Sequence, residues 1–426
     1  MSAGLSAGEV PASPSLGVAR LRELAALFLK LGCISFGGPA AHIALMEEEV
    51  IRKRQWLTRL QFLDLLGAAN LIPGPTSTEM AISVGFVRAG WLGLCVAGAS
   101  FILPAALITA GFAWAYIHFG SLPQAASLLA GVKPAVVAVI GVAISRLGKA
   151  AVKDLPLAAL GAVALAAFFL GLNPIAILFG GGILGMVVKR GSDFLRPSGT
   201  PTVAGIFTSM SNSMFTGLGS RSAPHPASWA TFLRSIAIFG VASAAVAPVA
   251  AKVSLGRIAL FFLKVGAVLY GGGYVLLAFL DQGLVHQHAW LTQQQLLDAV
   301  AIGQFTPGPV LSTATFIGYL LGGAPGAAVA TVAIFLPSFF YVALLAPFLF
   351  KLRQSPWMAA FLDAVNVCAI ALMAGVTVRF AQDALRARSA WVIAAVSAAV
   401  LLRWKLSPAW IVLAGGVTGL ALAGLR

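Results

Sequence analysis

The sequence predicts an all-α protein that threads a membrane many times, and three observations carry that prediction. Of 426 residues, 59% are hydrophobic and only 10% are charged, with a mean hydropathy of +0.94. Soluble domains carry about 25% charged residues, so the chain is read as polytopic. Its apolar residues fall in runs of about 20, long enough to cross a bilayer as helices. These runs come in two matching sets: FLKLGCISFGGPAA from Phe28 lines up with FLKVGAVLYGGGYV from Phe262, an offset of 234 residues. At that offset Trp56-Leu57-Thr58 meets Trp290-Leu291-Thr292, Asp64 meets Asp298, and Pro73-Gly74-Pro75 meets Pro307-Gly308-Pro309. After one deletion Leu103-Pro104 meets Leu336-Pro337. A near-constant offset with rare residue types matched marks a duplication, and paired Gly/Pro-interrupted segments point to a transporter's binding site.

Taken in order, residues 1–19 lack the apolar core of a cleaved signal and are expected to be a disordered cytoplasmic tail. The first repeat, 20–188, opens with the run Leu24–Met46, broken at Gly37-Gly38-Pro39. A polar connector, Glu47–Arg59, leads to the run Phe62–Val87, broken at Pro73-Gly74-Pro75. Spans follow at Trp91–His118, Ser127–Leu147, Leu155–Leu172 and Pro174–Val188. Residues 189–229 form a linker rich in Ser, Gly and Pro, with Lys189, Arg190, Arg196 and Arg221 against Asp193, which predicts a cytoplasmic location. Residues 230–254 make a connecting membrane segment. The second repeat, 255–426, supplies Ile258–Leu280, Leu296–Leu321, Ala324–Phe350, Ala359–Phe380, Ala390–Leu402 and Pro408–Leu425. This gives about 12–13 membrane segments. If the connecting segment spans, the halves are inverted; if it only dips in, they are parallel. The Lys/Arg balance does not choose between the two.

The net charge of +15 would suggest nucleic acid in a soluble protein. Here most cations lie in short segments between apolar runs, where they set orientation and meet lipid head groups, so no nucleic-acid partner is expected. Cys33, Cys95 and Cys368 have no pairing or metal spacing and are read as core residues. No triad, HExxH or Walker pattern is present, so no catalytic residue, metal or cofactor is expected.

The chemistry centres on NLIPGPTSTEM, Asn70–Met80. Proline removes a backbone donor and forces the preceding residue extended, so the helix breaks and restarts near Thr76. Thr76 and Glu79 have capping-box spacing. A helix start within the membrane offers free N–H groups and a positive dipole end to an anion. Such irregular backbone must face protein or a wet cavity. The other reading is a proline kink that only shapes packing.

FLKLGCISFGGP with His42, the RQWLT…FLD connector and NLIPGPTSTEMA resemble the signature of the chromate transporter (CHR) family in its long, two-repeat form. The resemblance implies proton-motive-force-driven export of chromate and chromate resistance. It also implies a cell (plasma or inner) membrane location and inverted halves. Sulfate is the chemical look-alike. The halves depart from one another at Glu79 against Thr313, His42 against Leu276 and Pro39 against Gly273.

A tetrahedral dianion needs substitutes for its hydration shell and partial neutralisation. The expected binding residues are Lys30, Gly37, Gly38, Pro73, Gly74, Pro75, Thr76, Ser77 and Thr78 in the first repeat. In the second they are Lys264, Gly271, Gly272, Thr306, Pro307, Gly308, Pro309 and Ser312. The paired lysines either neutralise substrate or snorkel to the interface. Glu79 either caps its helix or couples protons. His42 is a titrating group or a structural one. Asp64 and Asp298 start the PGP helices as dipole-compensating caps, with coupling the alternative. The expected partners are chromate or sulfate, protons and the bilayer, with a homodimer as a candidate assembly. Competing readings are a sulfate transporter or exchanger on the same scaffold, and a non-transporting scaffold or intramembrane enzyme.

Overall fold

Among the described residues the repeated runs fold into two matching sets of seven helices. The computed structural model describes residues 14–36, 38–120, 122–195, 253–270, 273, 275–345, 356–404 and 407–424, and among these every regular element is helical. The first half holds α1 (Pro14–Ile34), α2 (Pro39–Glu47), α3 (Arg59–Ala69), α4 (Thr76–Phe119), α5 (Pro123–Ala151), α6 (Leu155–Phe169) and α7 (Pro174–Leu195). The second holds α8 (Leu255–Val268), α9 (Leu276–Leu280), α10 (Gln293–Phe305), α11 (Thr313–Leu345), α12 (Pro356–Ala384), α13 (Arg388–Trp404) and α14 (Pro408–Gly424). Four of the described helices have segments long and apolar enough to cross a membrane, within α4, α5, α11 and α12. Together with the apolar residues exposed along them, they make this a multi-pass membrane protein.

Local chemistry repeats with the sequence. Both α2 and α9 widen into a π turn, Glu48–Lys53 and Asp281–Gln287. Each turn ends at a residue with positive φ, Gln55 or Ala289. The next helix then begins on a full capping box, Thr58 with Gln61 and Thr292 with Gln295. Helix α4 reverses at Ala89-Gly90 and α11 at Gly322-Gly323. The reversals bring Gly85 against Gly93 and Gly318 against Gly326 so closely that a Cβ on Gly85 or Gly318 would stand 2.2 or 2.3 Å from a backbone oxygen. Small residues allow this approach. Both reversals fall at the gaps expected between spans, after Val87 and after Leu321.

The halves interlock. Helix α5 packs on α13 and α14 of the other half, while α12 packs on α6 and α7, and α4 meets α11. This exchange of equivalent contacts is the mark of a pseudo-two-fold relation. The N-terminal boundary needs correction, because α1 already runs from Pro14. So does the start of the linker, because α7 continues to Leu195. Residues 196–252, with the rest of the linker and most of the connecting segment, lie outside the described residues, as do Gly37, Gly271 and Gly272.

Candidate functional site

The PGP breaks are tied to the other half by backbone. The Gly74 N–H donates to Leu269 O at 2.7 Å, and the Gly308 N–H donates to Ser35 O at 2.8 Å. Gly74 corresponds to Gly308 and Ser35 to Leu269, so the two bonds are one contact made twice. Each PGP break therefore rests on the chain just ahead of the opposite half's glycine break. Both glycines have positive φ, 145° and 88°. A Cβ on Gly74 would stand 2.3 Å from Glu79 Oε1 and 2.4 Å from Ser338 Oγ; on Gly308 it would stand 2.8 Å from Ala105 Cβ.

Helix α4 starts uncapped. Pro75 holds the N-cap position and has no side-chain acceptor, and the Thr78 and Glu79 N–H groups close on Pro75 O. Thr76 is the first helical residue, and its hydroxyl donates to Asn70 Oδ1 at 3.4 Å. The capping readings of Thr76 and Glu79 are thus corrected: proline occupies the position the box requires. Glu79 is fully buried, and neither carboxylate oxygen has a hydrogen-bond partner among the described residues; Thr78 Oγ1 and Ser338 Oγ lack one there too. In the second half Thr313 replaces Glu79 and satisfies itself by donating to Val310 O at 2.8 Å. Thr306 likewise donates to Gly303 O, whereas buried Ser312 has no partner.

A cavity of about 970 Å³ reaches this helix start. It is lined by Asn70, Gly74 and Thr76 beside the first break, by Phe36 and Pro39 at the GGP break, and by Gly273 from the opposite half. Arg146, Lys153 and Asn366 line its wall. Arg146 Nη2 donates to Leu401 O at 2.6 Å, and Lys153 lies 2.7 Å from Asp363. Pro73, Pro75, Ser77 and Thr78 stand behind this lining, and Gly38 is the N-cap of α2. The second PGP break does not line the cavity: Thr306, Pro307, Gly308, Pro309 and Ser312 are buried elsewhere. From the other half the lining takes Gly273 together with Asp363, Asn366 and Ile370.

The lysines lie apart from this cavity. Lys30 Nζ is 2.8 Å from Glu49, which also meets Lys53 at 3.2 Å and Arg54. The Lys30 hydrogen bond, ahead of the Lys53 bond, pulls the Glu49 carboxyl down to about 2 against the burial that would raise it. Lys264 lines a separate pocket. His42 is buried edge-on to Phe101, and its Nε2 donates to Ser35 O at 3.1 Å, the same carbonyl that Gly308 uses. Asp64 and Asp298 are not caps, since Thr58 and Thr292 hold those positions. Asp298 instead makes a buried ion pair with Lys133 at 2.9 Å and accepts from Tyr116 OH at 2.9 Å. Lys133, Tyr116, Asn70 and Ser338 were not among the expected site residues. Asn70 opens the stretch the sequence singles out, and Ser338 follows directly on the Leu336-Pro337 that matches Leu103-Pro104.

Comparison with known proteins adds a family. Residues 22–186 and again 256–420 match the family described as Chromate transporter. The chain is 33% identical over 423 residues to a chromate transport protein of Cupriavidus metallidurans, covering 99% of this chain and 96% of that one. It is 32% identical to a probable chromate transport protein of Synechococcus elongatus, covering 91% and 90%. It is 30% identical to a chromate transport protein of Pseudomonas aeruginosa, covering 93% and 91%. No solved structure matches.

Proposed function

Because this chain belongs to the chromate transporter family, we propose that it is a secondary transporter exporting chromate across the cytoplasmic membrane, driven by the proton motive force and conferring chromate resistance. One observation carries this reading: a roomy cavity ends on an uncapped helix start beside a buried carboxyl that has no partner among the described residues. The Thr76 hydroxyl, the amides of Thr76 and Ser77, and the Asn70 and Asn366 side chains offer donors to a tetrahedral oxyanion. Arg146 and Lys153 offer charge. Sulfate shares the charge and shape of chromate and is the competing substrate these donors would accept.

Glu79 supplies the coupling. An ionised carboxylate buried without a partner is costly by several kcal/mol, and a dianion at Thr76 raises that cost by repulsion. A proton on Glu79 removes both terms, so proton and oxyanion occupy the site together. Their joint export moves one net negative charge outward, which the membrane-potential part of the proton motive force drives. Ser338, crowded against the same glycine, offers a hydroxyl to relay that proton. Asp64, Asp298 and His42 are secondary coupling candidates; Asp298 already has Lys133 and His42 already has Ser35. The halves are read as inverted about an axis in the membrane plane, with Gln55 and Ala289 open to label from opposite sides.

The test is uptake of labelled chromate into inside-out vesicles, with and without a pH gradient and with sulfate as competitor. Wild type should accumulate chromate when an interior-positive membrane potential is imposed, and an added acid-inside pH gradient should reduce that uptake. Glu79→Gln should still bind chromate but lose the gradient dependence. Gradient-dependent uptake that survives Glu79→Gln would remove Glu79 from coupling. Uptake of sulfate with no effect of chromate would replace the substrate.

A further inference from the structure

Each half carries a lysine at the same point of its first helix, and the surroundings differ in one informative way. In the first half, Lys30 closes on the nearly buried Glu49 carboxylate, joined by Lys53 and Arg54. Nearby, Glu23 pairs with Arg88 at 3.2 Å, and Arg88 lies over Trp56. At the 234-residue offset, Glu49 becomes Gly283 and Glu23 becomes Arg257. Both acids are gone and one is now a cation.

What stands there is a pocket of about 270 Å³, lined by Arg257, Lys264, Gln282, Gln287, His288 and Trp290 among others. Arg257 lies over Trp290 at 5.3 Å, and Trp290 stacks on His288 at 4.7 Å. Gly283 also lines the pocket; a Cβ there would stand 2.4 Å from the Phe261 ring, so no larger side chain fits in its place without displacing that ring. Among the described residues no acidic side chain lines this pocket. The nearest in sequence, Asp281, is fully buried and committed to Arg379 at 2.8 Å. Beside the pocket, α8 shows Leu255, Leu260 and Leu263 outward, with Leu260 69% exposed. In a membrane protein such a face meets acyl chains. Two cations beside an apolar, lipid-facing helix match a head group with its tails attached.

We infer that this pocket holds the phosphate of an anionic phospholipid, standing where the first half keeps the Glu49 carboxylate. Arg257 and Lys264 neutralise the phosphate, the amides of Gln282 and Gln287 can donate to it, and Trp290 sits at head-group level.

The test is native mass spectrometry of the full chain in detergent with added phosphatidylglycerol, phosphatidylcholine or inorganic phosphate, backed by thermal shift. Wild type should retain phosphatidylglycerol over phosphatidylcholine and melt higher in its presence. The double variant Arg257→Gln, Lys264→Gln should bind phosphatidylglycerol about tenfold or more weakly. Lys30→Gln, at the site that carries its own carboxylate, should bind it as wild type does. Should the double variant fail to fold, Lys264→Gln alone, read by loss of the lipid-induced melting shift, replaces it. Undiminished retention in these variants would overturn the assignment. So would displacement of the lipid by millimolar inorganic phosphate, which would give the pocket to a soluble anion instead.

Discussion

The two PGP breaks share one backbone and differ in what surrounds it. Around Gly74 stand an unpartnered carboxyl, an unpartnered hydroxyl and an open cavity. Around Gly308 stand Ala105 and the Gly32 carbonyl, and Thr313, in the place of Glu79, satisfies its own hydroxyl. A second pair of positions reverses the pattern. Lys133 and Asp298 make a closed, buried ion pair, whereas Asn366, the counterpart of Lys133, is uncharged and lines the cavity. Duplication set the frame, and single substitutions made one side of the molecule polar and open and the other sealed.

The sealed side gives the largest way to break this comparison. Lys133→Met should strand the Asp298 charge and cost about 3–5 kcal/mol, seen as a large fall in Tm in detergent, whereas Asn366→Ala should cost far less. Adding Asp298→Leu to Lys133→Met should recover most of the loss. Equal falls for Lys133→Met and Asn366→Ala would mean that the pair is no more structural than its counterpart.

At the shared backbone, Gly74→Ala and Gly308→Ala should each cost about 1–3 kcal/mol from the positive φ and the crowded Cβ. Only Gly74→Ala should also alter the pH-gradient dependence of uptake, since its Cβ meets Glu79 and Ser338. A like effect from Gly308→Ala would show that the halves share the coupling role.

The capping boxes should behave alike. Thr58→Ala and Thr292→Ala each remove one cap and should lower stability by about 1 kcal/mol, measured as matched Tm shifts.

The smallest difference appears in acid. Glu49 is held near 2 in the fold against an ordinary value of 4.5. Its contribution is therefore present above about 4.5 and lost as pH falls through about 2. Its cations are largely exposed, so the effect should stay below about 1 kcal/mol. Glu49→Gln should flatten that part of the stability profile, and the second half, with Gly283 there, adds nothing to it.

Repetition made much of this legible. The offset revealed two halves, and Gly and Pro marked the PGP breaks and the helix reversals, because those residues act on their own backbone. Caps are local too, yet Thr76 misled: its spacing to Glu79 fits a box, but Pro75 takes the cap position, while Thr58 with Gln61 holds the actual one. Contacts between halves left no trace along the chain. Lys133 and Asp298 meet only because α5 and α10 are brought together, and Lys30 finds Glu49 only because α2 turns back through a π turn. A charge in an apolar run reads the same whether it faces lipid, a cavity or its counter-ion.

The reciprocal bonds from Gly74 to Leu269 and from Gly308 to Ser35 also bear on ancestry. A half-length precursor could have joined a copy of itself through this same contact, each glycine amide reaching the other's carbonyl. In such a pair every mutation is made twice and must suit both copies. Joining the genes ended that constraint. Glu79 could persist on one side while Thr313 arose on the other, so that a symmetric clasp came to hold two unlike faces.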